Sequence, residues 1–313
     1  MRLRAYRTRR WGDDRFGVVI DGRLLTGGRL ERHADSWIGT DLGIDSSLGH
    51  LPAIERAARR ARKRGARRLA LDARPAARAL RWPGKIVCVG LNYREHVNEG
   101  GRPAPPRPLL FAKFANAVIG DGDPIVRPEG TAALDLEVEL GVVIGRRAHR
   151  IDEADAMRHV AGYVVVNDVS ARDWQGIPTA LREGQQGDGQ WLRAKGSDTF
   201  LPLGPDFVTA DELDPRTGLR LRSWRITPDG TEHLMQDGST ADMIWDVPAL
   251  IAYISRAISL EPGDLIATGT PSGVGVFRDP PVFLEPGDRV RCEIEGIGRV
   301  ENPVVDWSER PAD

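Results

Sequence analysis

The sequence DLEVELGVVIG at residues 135–145 decides the fold of this chain, because it opens with alternating acidic and apolar residues. Side chains along a β-strand repeat every two residues, so Glu137 and Glu139 are predicted to lie on the same face of a strand. If that face is buried, the two carboxylates repel each other, and one of them must keep its proton unless another charge compensates. A divalent cation would remove this repulsion.

A second apolar run, GYVVVND at residues 162–168, predicts a more buried strand that ends on a third acid, Asp168. Three carboxylates suit Mg²⁺, Mn²⁺ or Ca²⁺, and the absence of nearby Cys or His argues against zinc. Acidic pairs on strands are often only a solvated face. The apolar run before Asp168 favours a pocket instead, because an acid that closes a buried strand is aimed at the interior.

Composition excludes two classes of partner. The chain has 313 residues, a formal net charge of −1 and a pI near 6.6, whereas nucleic acids and anionic membranes bind net basic surfaces. Residues 1–7 lack the apolar segment of a signal peptide, and no window reaches the ~18 apolar residues of a membrane span. We therefore expect a cytoplasmic protein. Cys88 and Cys292 lie in apolar strand-like runs and are expected to be buried free thiols.

Length predicts more than one structural unit, since a single domain has roughly 150 residues. We expect a small N-terminal α/β domain at residues 1–80 and a metal-dependent catalytic domain at residues 81–313. Residues 16–25 predict a hairpin with an Asp-Gly turn, and residues 51–71 predict a helix. The Arg-rich segment at residues 59–64 is interpreted as a solvated helix face, because no aromatic residues are interleaved with it.

The remaining chain predicts an α+β fold that is mainly β. Short strands separated by Gly, Pro and Asp turns are predicted at residues 109–114, 136–144, 162–168, 219–227, 264–268 and 289–294. Helices are predicted at residues 152–159 and 247–259, and Asp246 is placed to cap the second of them. The catalytic part is therefore a set of mixed strands with a few covering helices.

His96 and Glu99 are the candidate general base. Residues 92–99 can form two helical turns that end at Gly100, which puts the two side chains three residues apart on one side. A carboxylate bonded to an imidazole raises its basicity and fixes its tautomer, so the pair can take a proton from water. Such a pair can also be a simple surface contact.

Four cationic or amide side chains form a candidate anion-binding set, with a solvated surface charge as the alternative for each: Lys113, Arg172, Gln175 and Lys195. Arg172 and Gln175 follow Asp168 at helical spacing, which would aim both at the acids. A Gly-rich loop at residues 267–275 contains Thr270 but lacks the pattern of a nucleotide loop. We expect its backbone N–H groups and the Thr270 hydroxyl to lie close to a carboxylate.

Taken together, residues 85–305 resemble the fumarylacetoacetate hydrolase family. The motifs that carry the resemblance are Asn92-Tyr93 with His96, Phe111 and Lys113 after a Pro-rich segment, Glu137-Val138-Glu139, Asn167-Asp168 with Arg172 and Gln175, and the segments at residues 195–200, 202–205 and 268–273. The resemblance implies a sandwich-like fold of mixed β-strands and a homodimer. It also implies Mg²⁺ or Mn²⁺ held by Glu137, Glu139 and Asp168.

The resemblance also assigns roles to the other candidates. His96 and Glu99 match the water-activating pair on a lid, and Lys195 joins them as a catalytic residue. Lys113, Arg172, Gln175 and Thr270 match residues that line the substrate. One position departs from the family, because Gly196 stands where a Ser commonly follows the lysine, and this departure is expected to loosen the hold on Lys195.

These residues predict a hydrolase that cleaves a carbon–carbon bond in a 2-oxo acid or 1,3-diketo acid through an enolate stabilised by the cation. The same site could instead decarboxylate a 2-oxo diacid or interconvert its keto and enol forms. A non-catalytic metal or sugar binder is the alternative from another class. Specificity is expected to rest on residues 100–107 and 184–190, and on the N-terminal unit.

Overall fold

A computed structural model describes residues 1–8, 14–101 and 103–309. Its strands are β1 Arg2–Arg7, β2 Asp14–Ile20, β3 Arg23–Leu25, β4 Ile86–Gly90, β5 Leu109–Lys113, β6 Val118–Ile119, β7 Ile125–Arg127, β8 Leu134–Asp135, β9 Val138–Ile144, β10 Val160–Asn167, β11 Ser170–Ala171, β12 Leu201–Pro202, β13 Asp206–Thr209, β14 Arg220–Ile226, β15 Glu232–Ser239, β16 Leu265–Ala267, β17 Arg289–Ile294 and β18 Gly298–Asp306. Its α-helices are α1 Gly27–Glu31, α2 Leu51–Lys63, α3 Arg94–Glu99, α4 Arg172–Gln175, α5 Trp191–Gly196 and α6 Val247–Ser255. Its 3₁₀ turns are Asp45–His50, Ala115–Ala117, Glu153–His159, Pro178–Ala180, Pro215–Thr217, Thr240–Asp242, Gly275–Phe277 and Trp307–Glu309.

The largest sheet within these described ranges has nine strands in the order β3-β2-β1-β13-β10-β9-β16-β4-β5. Most neighbours are antiparallel, but β16 runs parallel to β4. Every residue of β9 is buried, which explains why its sequence continues as an apolar run after Glu139. The strand predicted from residues 136–144 is therefore confirmed, and it lies inside the sheet.

A second sheet, described with five strands in the order β15-β14-β17-β18-β7, packs on the first. Strands β9 and β10 contact β14, β17 and β18 across the interface between the sheets. The two inner faces form one apolar core that buries strand side chains from both sheets. The predicted class, a mainly β sandwich-like fold of mixed strands with few helices, is confirmed.

Within the described ranges, the N-terminal strands do not form a sheet of their own. Strand β1 pairs with β13, so β1, β2 and β3 extend the sheet that carries the catalytic strands. The predicted hairpin is confirmed, since β2 and β3 pair around Asp21 and Gly22, both of which have positive φ. Helix α2 ends at Lys63, earlier than the end near residue 71 that composition favoured. A domain boundary near residue 80 stays a prediction.

Four strand termini lie together on one side of the large sheet. The carboxyl ends of β4, β10 and β16 meet the amino end of β9, because β9 runs antiparallel to β10 and β16 while β4 runs parallel to β16. Loops that leave these ends carry polar side chains out of an apolar sheet. The sheet thereby gathers residues that are more than a hundred positions apart in the chain.

Two further expectations concern the cysteines and the membrane. Cys88 and Cys292 are both buried and unpaired, as predicted. No helix in the described part of the chain is long and apolar enough to cross a bilayer.

Helix α6 begins where the local sequence predicts a helix cap. The Asp246 side chain accepts a hydrogen bond from the Ala249 N–H at 3.0 Å, and Pro248 occupies the first turn, so the predicted cap is confirmed. We predict that Asp246→Ala lowers the free energy of unfolding by about 1 kcal/mol, because a partly buried N–H at the start of the helix would lose its acceptor. Asp246→Ser is the control and should lose much less. Equal urea midpoints for Asp246→Ala and the unmodified chain would contradict this.

Candidate active site

Three acids meet at the convergent strand ends. Glu137, Glu139 and Asp168 are all buried, and one carboxylate oxygen from each lies within 4.8 Å of the others. Glu137 and Glu139 flank Val138 at the start of β9, and Asp168 follows the end of β10. The Asp168 N–H donates to the Glu137 carbonyl at 2.8 Å, so the backbone itself ties the two strand ends together. The structure therefore brings together all three predicted metal ligands.

The charges around these acids show that the residues fit a divalent cation. Glu139 accepts a hydrogen bond from the Gly269 N–H at 2.9 Å but has no ion pair with any described residue. Burial, with the charges of Asp168 and Glu137, raises the pKa of Glu139 well above its ordinary value. A cation bound by the three carboxylates would supply the missing charge through hard oxygen ligands.

Lys195 bridges two of the acids. Its Nζ lies 2.6 Å from Glu137 Oε2 and 3.0 Å from Asp168 Oδ2, above the ring of Phe111. Burial alone would lower the pKa of Lys195, but the charges of Asp168 and Glu137 outweigh burial and raise that pKa. Lys195 therefore keeps its proton and faces the acids as a donor. Gly196, expected to loosen this lysine, leaves it buried and doubly paired.

Lys113 lies elsewhere than the substrate-binding prediction placed it. Its Nζ is 2.7 Å from Asp168 Oδ1 and donates to the carbonyls of Val169, Lys195 and Phe200. The side chain is completely buried and does not line the cavity beside the acids. Lys113 therefore supports Asp168 and the backbone of Lys195 from behind, and it has no free donor to offer a ligand.

Arg172 holds a different acid in place. Its Nη2 donates to Glu137 Oε1 at 2.6 Å, its Nε donates to Asp135 Oδ2 at 2.9 Å, and its Nη1 donates to Gln175 Oε1 at 3.0 Å. Burial alone would raise the pKa of Glu137, but the positive charges of Lys195 and Arg172 outweigh burial and lower that pKa. Glu137 is therefore an anion. The Gln175 amide nitrogen has no acceptor among the residues that the structure describes, so it can donate to a ligand.

The predicted pairing of the candidate general base His96 with Glu99 is formed, and the His96 side chain is buried. His96 Nδ1 lies 2.6 Å from Glu99 Oε1 on helix α3, and Glu99 Oε2 accepts from the Gly273 N–H at 2.7 Å. Gly273 has φ of +100°, and a Cβ there would lie 2.2 Å from a backbone oxygen, so only glycine allows this contact. Helix α3 is thereby joined to the loop after β16, with Phe277 packed on the His96 ring.

The cavity beside the acids is small and mixed in character. About 50 Å³ of free space is lined by the predicted residues His96, Glu137, Glu139, Arg172, Gln175, Lys195 and Thr270, together with apolar side chains. Phe111, Trp191 and Phe277 supply much of the apolar wall. A larger, Arg-rich cleft of about 890 Å³ lies between the N-terminal strands and the second sheet, away from the acids. The small cavity is the candidate site, because the predicted chemistry is there.

The structure adds residues that sequence reasoning missed. Asp135 accepts from the N–H groups of Gly275 and Val276 as well as from Arg172, and its position two residues before Glu137 was the available signal. Gln236 bonds Val138 and Thr270, and the signal was an amide in an otherwise ordinary strand. Phe277, which lines the cavity and packs on His96, gave no signal in the sequence, since a single aromatic residue is as consistent with ordinary core packing.

Comparison with known proteins identifies the family. The sequence profile described as "Fumarylacetoacetate (FAA) hydrolase C-terminal" matches residues 85–305. The chain belongs to the fumarylacetoacetate hydrolase family. The resemblance carried by the scattered motifs is therefore confirmed, and with it the family's fold for this part of the chain.

Individual members of the fumarylacetoacetate hydrolase family resemble the chain to different extents. It is 48% identical over 223 residues to the mitochondrial oxaloacetate tautomerase fahd2 of Xenopus laevis, a match that covers 71% of this chain and 66% of that relative. Fumarylacetoacetate hydrolase from Exiguobacterium antarcticum has a TM-score of 0.77 at 32% identity and covers 98% of this chain and 99% of its own. The 5-carboxymethyl-2-hydroxymuconate delta-isomerase of Mycobacterium smegmatis has a TM-score of 0.69 at 32% identity, and the match covers 98% of this chain and 100% of its own.

The raised pKa of Glu139 makes a prediction about metal binding. The metal-free carboxyl group holds a proton that a cation must displace, so Mn²⁺ affinity should fall as the pH is lowered, with release of about one proton at acidic pH. Calorimetry in two buffers of different ionisation enthalpy measures that proton. Glu139→Gln should bind at least ~10-fold more weakly without proton release, a loss of the size that altered ligation brings. Affinity that is independent of pH would contradict the assignment.

Proposed function

We propose that this chain is a divalent-cation-dependent tautomerase that interconverts the keto and enol forms of a small 2-oxo diacid, with oxaloacetate as the first substrate to test. This proposal prefers the isomerase alternative to carbon–carbon bond hydrolysis. The carrying observation is that an imidazole oriented by Glu99 and a buried lysine line the same small cavity as Glu137 and Glu139.

The comparisons support isomerisation over hydrolysis. Several relatives at 46–48% identity over the catalytic part are named oxaloacetate tautomerases, and a solved structure of similar fold is named an isomerase. Since the match covers about two thirds of those relatives, their activity is a proposal for this chain. Their names also include "mitochondrial", so the cytoplasmic location expected from the sequence stays a prediction.

The cavity fits the demands of tautomerisation. The reaction moves one proton between carbon and oxygen and consumes no water, so a small cavity of about 50 Å³ with a partly apolar wall suits it. Arg172, Lys195 and the Gln175 amide nitrogen offer donors that suit carboxylate groups of a diacid. The Thr270 N–H adds a further donor, because it meets no acceptor among the described residues.

The chain's own residues supply a proton acceptor and a proton donor. His96 Nδ1 bonds the Glu99 carboxylate and so carries the hydrogen, which leaves Nε2 as the base for a proton on the carbon beside the carbonyl. Lys195 Nζ remains protonated and can donate to the carbonyl oxygen as the enol forms. The cation, held by Glu137, Glu139 and Asp168, would supply polarisation of the carbonyl.

We predict that His96→Ala slows the tautomerisation of oxaloacetate on the order of 10²- to 10⁴-fold, as expected for loss of a general base. Glu99→Gln should slow it less, since the imidazole remains. The decrease in enol absorbance in the presence of Mg²⁺ measures the rate. His233→Ala, which removes an exposed histidine on β15, is the matched control. Full activity of His96→Ala would refute the proposal.

Hydrolysis of an acylpyruvate-like substrate is the second candidate function. The His96–Glu99 pair favours it, because the same oriented imidazole could take a proton from water instead of carbon. Product analysis separates the reactions: an acid and pyruvate indicate hydrolysis, carbon dioxide above the non-enzymatic background indicates decarboxylation, and an unchanged carbon skeleton indicates tautomerisation.

We also propose that the chain forms a homodimer through the edge of the large sheet at β5. This strand ends the sheet, and unpaired edge strands are usually covered or protected. Three side chains form an apolar border to this edge: Leu109 on β5, Phe114 directly after β5 and Leu192 on helix α5 are 37%, 49% and 58% exposed. Burial of these side chains by a second copy would remove them from water.

The proposed dimer predicts that Leu192→Glu shifts the molecule toward monomer, because a charge would be buried in the interface. Light scattering after size-exclusion chromatography measures the mass at several concentrations. Leu234→Glu is the control, since Leu234 is 48% exposed on β15 of the other sheet. A dimer that persists in Leu192→Glu, or dissociates equally in the control, would remove β5 as the interface.

A further inference from the structure

Val138 occupies a demanding position, because it separates Glu137 from Glu139 and is itself completely buried. Strand β16 pairs with β9 only as far as the Gly141 and Ala267 partners, so Val138 lies beyond the end of that ladder. Its N–H and carbonyl groups still require partners, since buried backbone groups without hydrogen bonds are strongly unfavourable. Two side chains provide them.

Gln236 is the first of these partners. Its Oε1 accepts from the Val138 N–H and from the Ser223 hydroxyl, both at 2.9 Å, and its Nε2 donates to the Pro271 carbonyl and to Thr270 Oγ1, both at 2.7 Å. A backbone N–H can only donate and a carbonyl can only accept, so the orientation of the amide is determined at both ends. All four hydrogen-bonding positions of this buried amide are used.

The Thr270 hydroxyl completes the arrangement. It accepts from Gln236 and donates to the Val138 carbonyl at 2.9 Å. The hydrogen bonds therefore form a closed ring that leads from the Val138 N–H through Gln236 and Thr270 to the Val138 carbonyl. Each donor in the ring points the same way round, which favours mutual strengthening in a buried site.

We propose that Gln236 is a positioning residue for the metal site, which holds the Glu137–Val138–Glu139 backbone through this ring so that both carboxylates face the cation at a constant separation. Gln236 touches neither carboxylate, so its influence passes through Val138. Partners that orient metal ligands from outside typically change metal affinity by 10- to 100-fold when they are removed.

The test is Mn²⁺ affinity, measured by calorimetry on the full chain without substrate. Gln236→Met and Thr270→Val, which break the ring at different links, should each weaken Mn²⁺ binding about 10-fold. The double variant should bind Mn²⁺ no more weakly than whichever single variant has the lower Mn²⁺ affinity. The reason is that breaking the ring at one link already removes its effect on the Val138 backbone. Independent contributions would multiply to about 100-fold.

Two controls separate positioning from general damage. Thr270→Ser keeps the hydroxyl and should keep the affinity. Asn302→Leu removes an equally buried amide on β18 that bonds the carbonyls of Gly120 and Asp123, and it should lower thermal stability without changing Mn²⁺ affinity.

Three results would overturn the proposal: unchanged affinity in folded Gln236→Met, multiplicative loss in the double variant, or equal loss in Asn302→Leu. If Gln236→Met does not fold, Thr270→Val opens the same ring from the loop and decides alone. The measurement needs no substrate, so a failure of the tautomerase proposal leaves it intact, and its own failure leaves the catalytic assignment intact.

Discussion

Electrostatic repulsion among buried carboxylates is the constraint on which the rest of this structure depends. Glu137, Glu139 and Asp168 are buried so close together that the protein must supply positive charge around them. Lys195 and Lys113 neutralise Asp168 from two sides, and Arg172 with Lys195 does the same for Glu137. Glu139 alone is left without such a partner among the described residues, and this asymmetry indicates where a cation is needed.

Sequence reasoning succeeded where a local pattern has only one physical outcome. Alternation around Glu137 placed two acids together, the three-residue spacing of His96 and Glu99 joined them on a helix, and Asp246 before a proline predicted a cap. Each of these inferences uses only neighbours in the chain, and the structure confirms each geometry. The family resemblance then ordered these local features along the chain.

Sequence reasoning failed where burial decides the role of a side chain. A lysine can bind a ligand or satisfy buried carbonyls, and only the packing around Lys113 shows the second arrangement. Gln236 connects segments far apart in the chain, so no spacing rule could reveal it, and the alternation that puts Asp135 beside Glu137 does not show that Asp135 holds Arg172. Sequence alone does not separate proton transfer at carbon from hydrolysis, because one oriented imidazole can serve either reaction.

The pairing of β1 with β13 has a consequence for how such chains can be shortened or recombined. A fragment that starts near residue 81 would keep all the predicted catalytic side chains but leave the outer edge of β13 without hydrogen-bond partners. Unpaired strand edges of this kind favour strand exchange between molecules and aggregation in concentrated solution. The N-terminal strands therefore act as a protective border, and any replacement of this segment by recombination must bring a strand of matching length.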